Sequence, residues 1–281
     1  EGLGADEAKR LREELAAAIL APGAPHPYRK IWLDLQAEIM VETAAVLERA
    51  VHSVSPRTRL GLMSSDPPRH AAEGRDWPAF TKALAGPLEL VSRPSMAIYR
   101  ETSLRGLYES AHNLRLTQSC LPVDTIVETE VENIPFTQYS KSNQFTFLQM
   151  ALSFAMGSHG VTMNLFDHAG TPMAADPTIG RMLTGSKAFL NGIVQRCRDG
   201  GINRGIGILH HHRGSDTMVL EEDAEFPDLI QDGFGWRSVL ESLGFGTTFE
   251  SADVVALSGQ TIRAYDDDEV RQLLSHGVLI D

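Results

Sequence analysis

Four short strand-like runs recur through the first two-thirds of the chain, and their spacing constrains the fold more than any other feature. They are "TRLGLM" at 58–63, "LELVS" at 88–92, "DTIVETE" at 124–130 and "GVTMNLF" at 160–166. Helical patterns fill the intervals: "DWPAFTKALAG", "RETSLRGLYESAHNLRL" and "SNQFTFLQMALSFAMG". A recurrence of roughly 30–36 residues is the length of a βα unit that crosses over to a parallel neighbour. Such alternation predicts a parallel α/β architecture.

Two helices precede the first run. "DEAKRLREELAAAIL" places Leu11, Leu15, Ala18 and Ile19 at helical spacing, and "APGAPHP" breaks it. The second carries Trp32, Leu35, Ile39, Met40, Leu47 and Val51 on one broad face and closes before Pro56. Beyond about residue 185 the texture changes to shorter units: the helix "SKAFLNGIVQRCRDGG", the strand "GIGILHH", the helix "GWRSVLESLG", strand character in "TTFESADVVALSG", the helix "DDDEVRQLLSHG" and the strand "VLID". The expected division is therefore 1–185 and 186–281, the second part being a smaller αβ domain.

Charge and composition exclude several function classes. The 281 residues carry a formal net charge of −12. With no basic stripe to offset it, that charge argues against nucleic acid as a partner. No apolar run reaches the roughly 20 residues that cross a bilayer, so no membrane partner is expected. Cys120 and Cys197 stand far apart without a CxxC spacing, which supports neither a disulfide framework nor a zinc site and makes a reducing cytoplasm the expected location. The triplet His210-His211-His212 alternates faces if it lies on a strand, which disfavours one shared metal ion. No metal and no cofactor are expected.

Within "VETEVENIPF" three glutamates fall at every second position, which puts Glu128, Glu130 and Glu132 on one strand face. In parallel α/β domains functional groups collect where strands end. Like charges crowded there push one carboxyl towards its protonated form, an environment suited to acid–base or nucleophilic chemistry.

The stretch "ETEVENIPFTQYSKSNQFTFLQMALSFAMGSHGVTMNLFD" resembles strands seven and eight of the catalytic barrel in clan A glycoside hydrolases, nearest the family 42 β-galactosidase type. The segment "LESLGFGTTFESADVVALSGQTIRAYDDDEVRQLLSHGVLID" resembles that family's flavodoxin-like trimerisation domain. The resemblance is to a divergent relative rather than a typical member: Glu130-Val131 stands where the family has Glu-Gln, and the following aromatic "NW" is absent. The resemblance implies a (β/α)8 TIM barrel of which strands five to eight are visible, followed by a flavodoxin-like domain. It also implies retaining exo-hydrolysis of terminal sugars, with a carbohydrate substrate. A homo-oligomer, such as a trimer, is a further implication, as is a missing N-terminal half of the barrel as a partner. The clan's acid/base glutamate follows an asparagine, and this chain has no Asn-Glu dipeptide.

The resemblance assigns the nucleophile to Glu130, with Glu132 as the second choice. Candidate substrate ligands at the strand ends are Arg93 and Tyr99, Asn133, Tyr139 and Lys141, and Asp167 and His168. Asn164 lies on the same final strand end. The loop-like "MSSDPPRHAAEGRDW" adds His70, Glu73, Arg75, Asp76 and Trp77, the last as a platform for a sugar face. Two other readings compete: a non-catalytic carbohydrate-binding or assembly protein with a degenerate barrel, and a metal-dependent barrel isomerase or lyase using the acids and His168.

Overall fold

The computed structural model describes residues 4–96, 98–102, 104–133, 140–166, 170–198, 204–231 and 235–281. In chain order the first part runs α1 (Ala5–Ile19), α2 (Pro27–Val54), β1 (Gly61–Ser64), α3 (Pro67–Ala72) and α4 (Trp77–Ala85). It continues with β2 (Val91–Pro94), α5 (Leu104–Ser119), β3 (Ile126–Glu132), α6 (Asn143–Ala155), β4 (Gly160–Asn164) and α7 (Pro177–Arg198). The remainder holds β5 (Ile206–Ile208), α8 (Gly235–Ser242), β6 (Thr247–Thr248), β7 (Val254–Leu257), α9 (Asp267–Leu273) and β8 (Gly277–Ile280). The fold is mixed α/β with two parallel sheets of four strands each among the described residues.

Contacts group the chain into two units. One holds residues 1–50, 67–83 and 204–281; the other holds 51–66 and 84–203. Residue 185, the expected boundary, lies inside α7.

In the second of these units the strands add in sequence order, β1-β2-β3-β4, all parallel. Alternation along β3 divides its side chains between two environments. Val127, Thr129 and Val131 are buried, whereas Glu128, Glu130 and Glu132 are half-buried on the opposite face. The buried face is roofed by helices: Val127 packs with Met96 and Leu114, and Val131 with Met150, Leu165, Ile179 and Leu190. The glutamate face has Gly160, Thr162 and Asn164 as its register partners on β4.

In the other unit the sheet order is β6-β5-β7-β8, so strands are added first on one side of β5 and then on the other. Its core joins Ile208, Leu240 and Ala256, flanked by Trp236 and Phe249. A second cluster joins Ala72, Leu220 and Leu229 with Ile19 and Leu20. Arg29, fully buried, ties these segments together by donating to the carbonyls of Ile19 at 2.7 Å and Met218 at 2.5 Å.

Three sequence expectations need correction. The segment 63–77 is not all loop, because Pro67 and Pro68 start α3, where a fixed φ suits a first helical turn and costs no hydrogen bond. Helix α7 begins nine residues before the expected "SKAFL", with Asp176 accepting from the backbone of Thr178 and Pro177 as its first residue. Gly180 and Gly185 inside it hide that turn from propensity reasoning. The histidine triplet lies beyond the end of β5, with His211 stacked on His212 at 5.0 Å between ring centroids, so strand alternation does not govern it.

Candidate functional site

Strand β3 ends at Glu132, and the parallel neighbours β2 and β4 end beside it. Val91 and Ser92 align with Ile126 and Val127, which continues the register to place Arg93 beside Glu128. The Arg93 side chain crosses diagonally instead to Glu130, its Nη2 lying 2.6 Å from Oε1. Ser95, bridged to Glu130 through the backbone, also hydrogen-bonds the Glu130 carboxylate. The Glu132 carboxylate lies close enough on the same strand face to act on the Glu130 carboxyl.

Burial pushes the Glu130 carboxyl above its ordinary range, and the Glu132 charge adds to this, while Arg93 opposes it. Tyr99, 41 % exposed, feels the same pair: burial raises its phenol, followed by the charges of Glu130 and Glu132. Arg93, Ser95, Tyr99, Glu130 and Glu132 therefore form one electrostatic cluster at the carboxyl end of the sheet. Glu128 is set apart, its side chain running over Gly160, where a Cβ would sit 3.5 Å from the glutamate Cγ.

The frame around this cluster is built by Lys141. The side chain is buried, and its Nζ donates to the carbonyls of Ile98 at 3.1 Å and Glu132 at 2.5 Å and to Oε1 of Gln149. Those three acceptors use all three ammonium hydrogens. Gln149, also buried, donates in turn to the Met96 carbonyl at 2.8 Å. Burial brings the Lys141 ammonium down to about 8, against the pull of Glu132 and Glu101. Glu101 accepts from the Ser142 backbone at 2.7 Å, joining the loop after β2 to the start of α6.

The sequence-predicted residues are thus distributed unevenly. Glu130, Glu132, Arg93 and Tyr99 come together. Lys141 is a fastener for the backbone rather than an exposed ligand. Asn133 is buried too, and it locks the strand end by bonding the carbonyls of Asn164 at 2.9 Å through its backbone and Leu165 at 3.3 Å through its amide. Trp77 is 1 % exposed, with the Arg75 guanidinium 5.1 Å from its ring centroid, so its faces meet protein rather than solvent. The expected sugar platform is a core residue of the other unit, beside His70 and its Glu73 partner at 3.0 Å. Asp76 caps α4 through the Ala79 backbone at 3.0 Å. Tyr139, Asp167 and His168 lie outside the described residues.

Ser95 and Gln149 were not singled out by sequence. The only signal for Ser95 is its place just after a strand that ends in Pro94; Gln149 looks like an ordinary polar residue in an apolar helix.

Glu130 and Glu132 lie on the same face of β3 and the Glu132 charge acts on the Glu130 carboxyl, so the two form one coupled carboxyl pair. Comparison with known protein families, curated proteins and solved structures finds no match.

Proposed function

We propose that the chain is a retaining, β-galactosidase-like exo-glycoside hydrolase that removes terminal sugars from oligosaccharides or glycosides. The observation that carries this reading is the coupled carboxyl pair Glu130–Glu132, flanked by Arg93 and Tyr99, at the carboxyl end of a parallel sheet. In this reading one carboxylate oxygen attacks the anomeric carbon as the glycosidic C–O bond breaks, and the electron pair leaves with the aglycone oxygen. Water then displaces the carboxylate, giving its proton to a second carboxylate. The resemblance puts that acid/base after an asparagine on barrel strand four, which is not among the strands of this sheet.

The four-stranded sheet is, on this proposal, strands five to eight of a barrel. Its sequence-ordered parallel strands, helices on one face and acids on the other support that arrangement. β1 and β4 are the edges at which four further strands would close the ring. The second sheet is read as a flavodoxin-like assembly domain, because β6-β5-β7-β8 follows the 2-1-3-4 order of doubly wound folds. A homotrimer is the expected assembly.

The test is turnover of a panel of aryl β-glycosides followed by NMR of the released sugar. 2,4-Dinitrophenyl leaving groups depart without protonation, so they report the nucleophile even where the acid/base is not engaged. Release of the β-anomer first supports the proposal; inversion, or no turnover across the panel, ends it. The second reading, a non-catalytic sugar-binding or assembly protein, is favoured by the Arg93–Glu130 ion pair, which is a sufficient structural reason to retain a half-buried acid. It predicts saturable sugar binding without turnover.

A further inference from the structure

Within the coupled pair the two glutamates are held in different ways. Glu130 is clamped: Arg93 Nη2 lies 2.6 Å from its carboxylate, Ser95 bonds the same group, and its side chain is 14 % exposed. An oxygen neutralised by a guanidinium at that distance is a poor nucleophile, because its lone-pair density is already committed. Glu132 is the last residue of β3, one same-face step nearer the strand end. What is anchored at Glu132 is the backbone: its carbonyl accepts from Lys141, and Asn133 behind it is bonded to the end of β4. That gives a rigid base for a side chain at the rim.

We infer that Glu132 is the carboxylate that attacks the sugar, and that Glu130, clamped by Arg93 and Ser95 one same-face step back on β3, is a positioning residue whose fixed charge confines the Glu132 carboxylate to the rim. This rests on the glycosidase reading above. In the covalent step a Glu132 oxygen forms an ester bond to the anomeric carbon, and the bond to the leaving oxygen breaks with its electron pair. With a dinitrophenolate leaving group no proton moves. Glu130 makes no bond to the sugar; it holds the attacking oxygen on line, where misplacement by about 1 Å costs on the order of a hundredfold.

The experiment is covalent labelling of the whole chain with 2,4-dinitrophenyl 2-deoxy-2-fluoro-glycosides, beginning with the β-galactoside, followed by peptide mapping by mass spectrometry. The label is expected on Glu132 and absent from Glu132→Gln. Glu130→Gln should still be labelled at Glu132, about 10–100-fold more slowly. Arg93→Met, which frees Glu130 without altering either carboxyl group, should also slow labelling at Glu132. Label on Glu130, or a Glu130→Gln variant labelled at the wild-type rate, overturns the inference and leaves the glycosidase reading standing. Failure of every fluoro-sugar to label the wild type, with no turnover of the parent glycosides, removes both.

Discussion

The Glu130 carboxyl carries a stability cost that pH should expose. Its folded pKa is raised above the unfolded one, so its contribution to stability is full below about pH 4.5 and is lost as pH rises through the folded value. Replacing it with Gln removes that slope. The stability difference between wild type and Glu130→Gln, measured by urea unfolding at a series of pH values, should therefore shift against the wild type as pH rises from about 4, then level off; a flat difference would contradict the raised pKa. Lys141 allows a larger effect at one position. Lys141→Met leaves the Ile98 and Glu132 carbonyls and the Gln149 amide oxygen without their donor, at about 1–3 kcal/mol for each buried group left unsatisfied. We expect a loss of about 3 kcal/mol or more in denaturant unfolding. A change within 0.5 kcal/mol, the range of ordinary surface substitutions, would show that the ammonium is not the fastener described.

Helices and strands show where sequence reasoning succeeds and where it stops. The four strands from β1 to β4 and their helices were readable because alternation and βα spacing are local properties of the chain. The faces of β3 were readable for the same reason. By contrast, α3 was hidden by its two prolines, which look like loop residues unless they stand at a helix start. The pairing of Arg93 with Glu130 was not readable, since it depends on a diagonal between strands whose register no local pattern states. Trp77 was misplaced because an aromatic residue beside charges fits a sugar platform and a core equally well from sequence. The turn between α3 and α4 adds a position that only coordinates reveal. Gly74 has φ +90°, and a Cβ there would lie 2.7 Å from the Leu33 carbonyl oxygen on α2. Gly74→Ala should combine left-handed strain of about 1–2 kcal/mol with a backbone clash, and a fall in melting temperature of several degrees is the expected outcome.

For the molecule as a whole, acid is the most informative perturbation. Burial, followed by the neighbouring His211 and His212, brings His210 down to about 4 from the ordinary 6.5. Between those values the unfolded chain binds the proton and the folded chain does not, so stability falls as pH drops through that window, by up to about 1.4 kcal/mol per pH unit for one such group. Burial also lowers His211 and His212, ahead of the effects of Glu269, Asp76 and Arg213. Unfolding free energies of wild type and His210→Phe should converge or cross as pH falls from 6.5 towards 4. Parallel curves would mean that His210 takes up its proton equally in the folded and unfolded chain, contradicting the lowered value.

Strand β3 separates two kinds of evolutionary freedom. Odd-numbered positions 127, 129 and 131 bear on the helices, so change there opens voids or strands a hydroxyl. Even-numbered positions 128, 130 and 132 can exchange one charge pattern for another without disturbing that apolar layer. A lineage could therefore retune or silence the acidic rim while its scaffold stayed intact, and descendants with the same architecture need not share a chemistry.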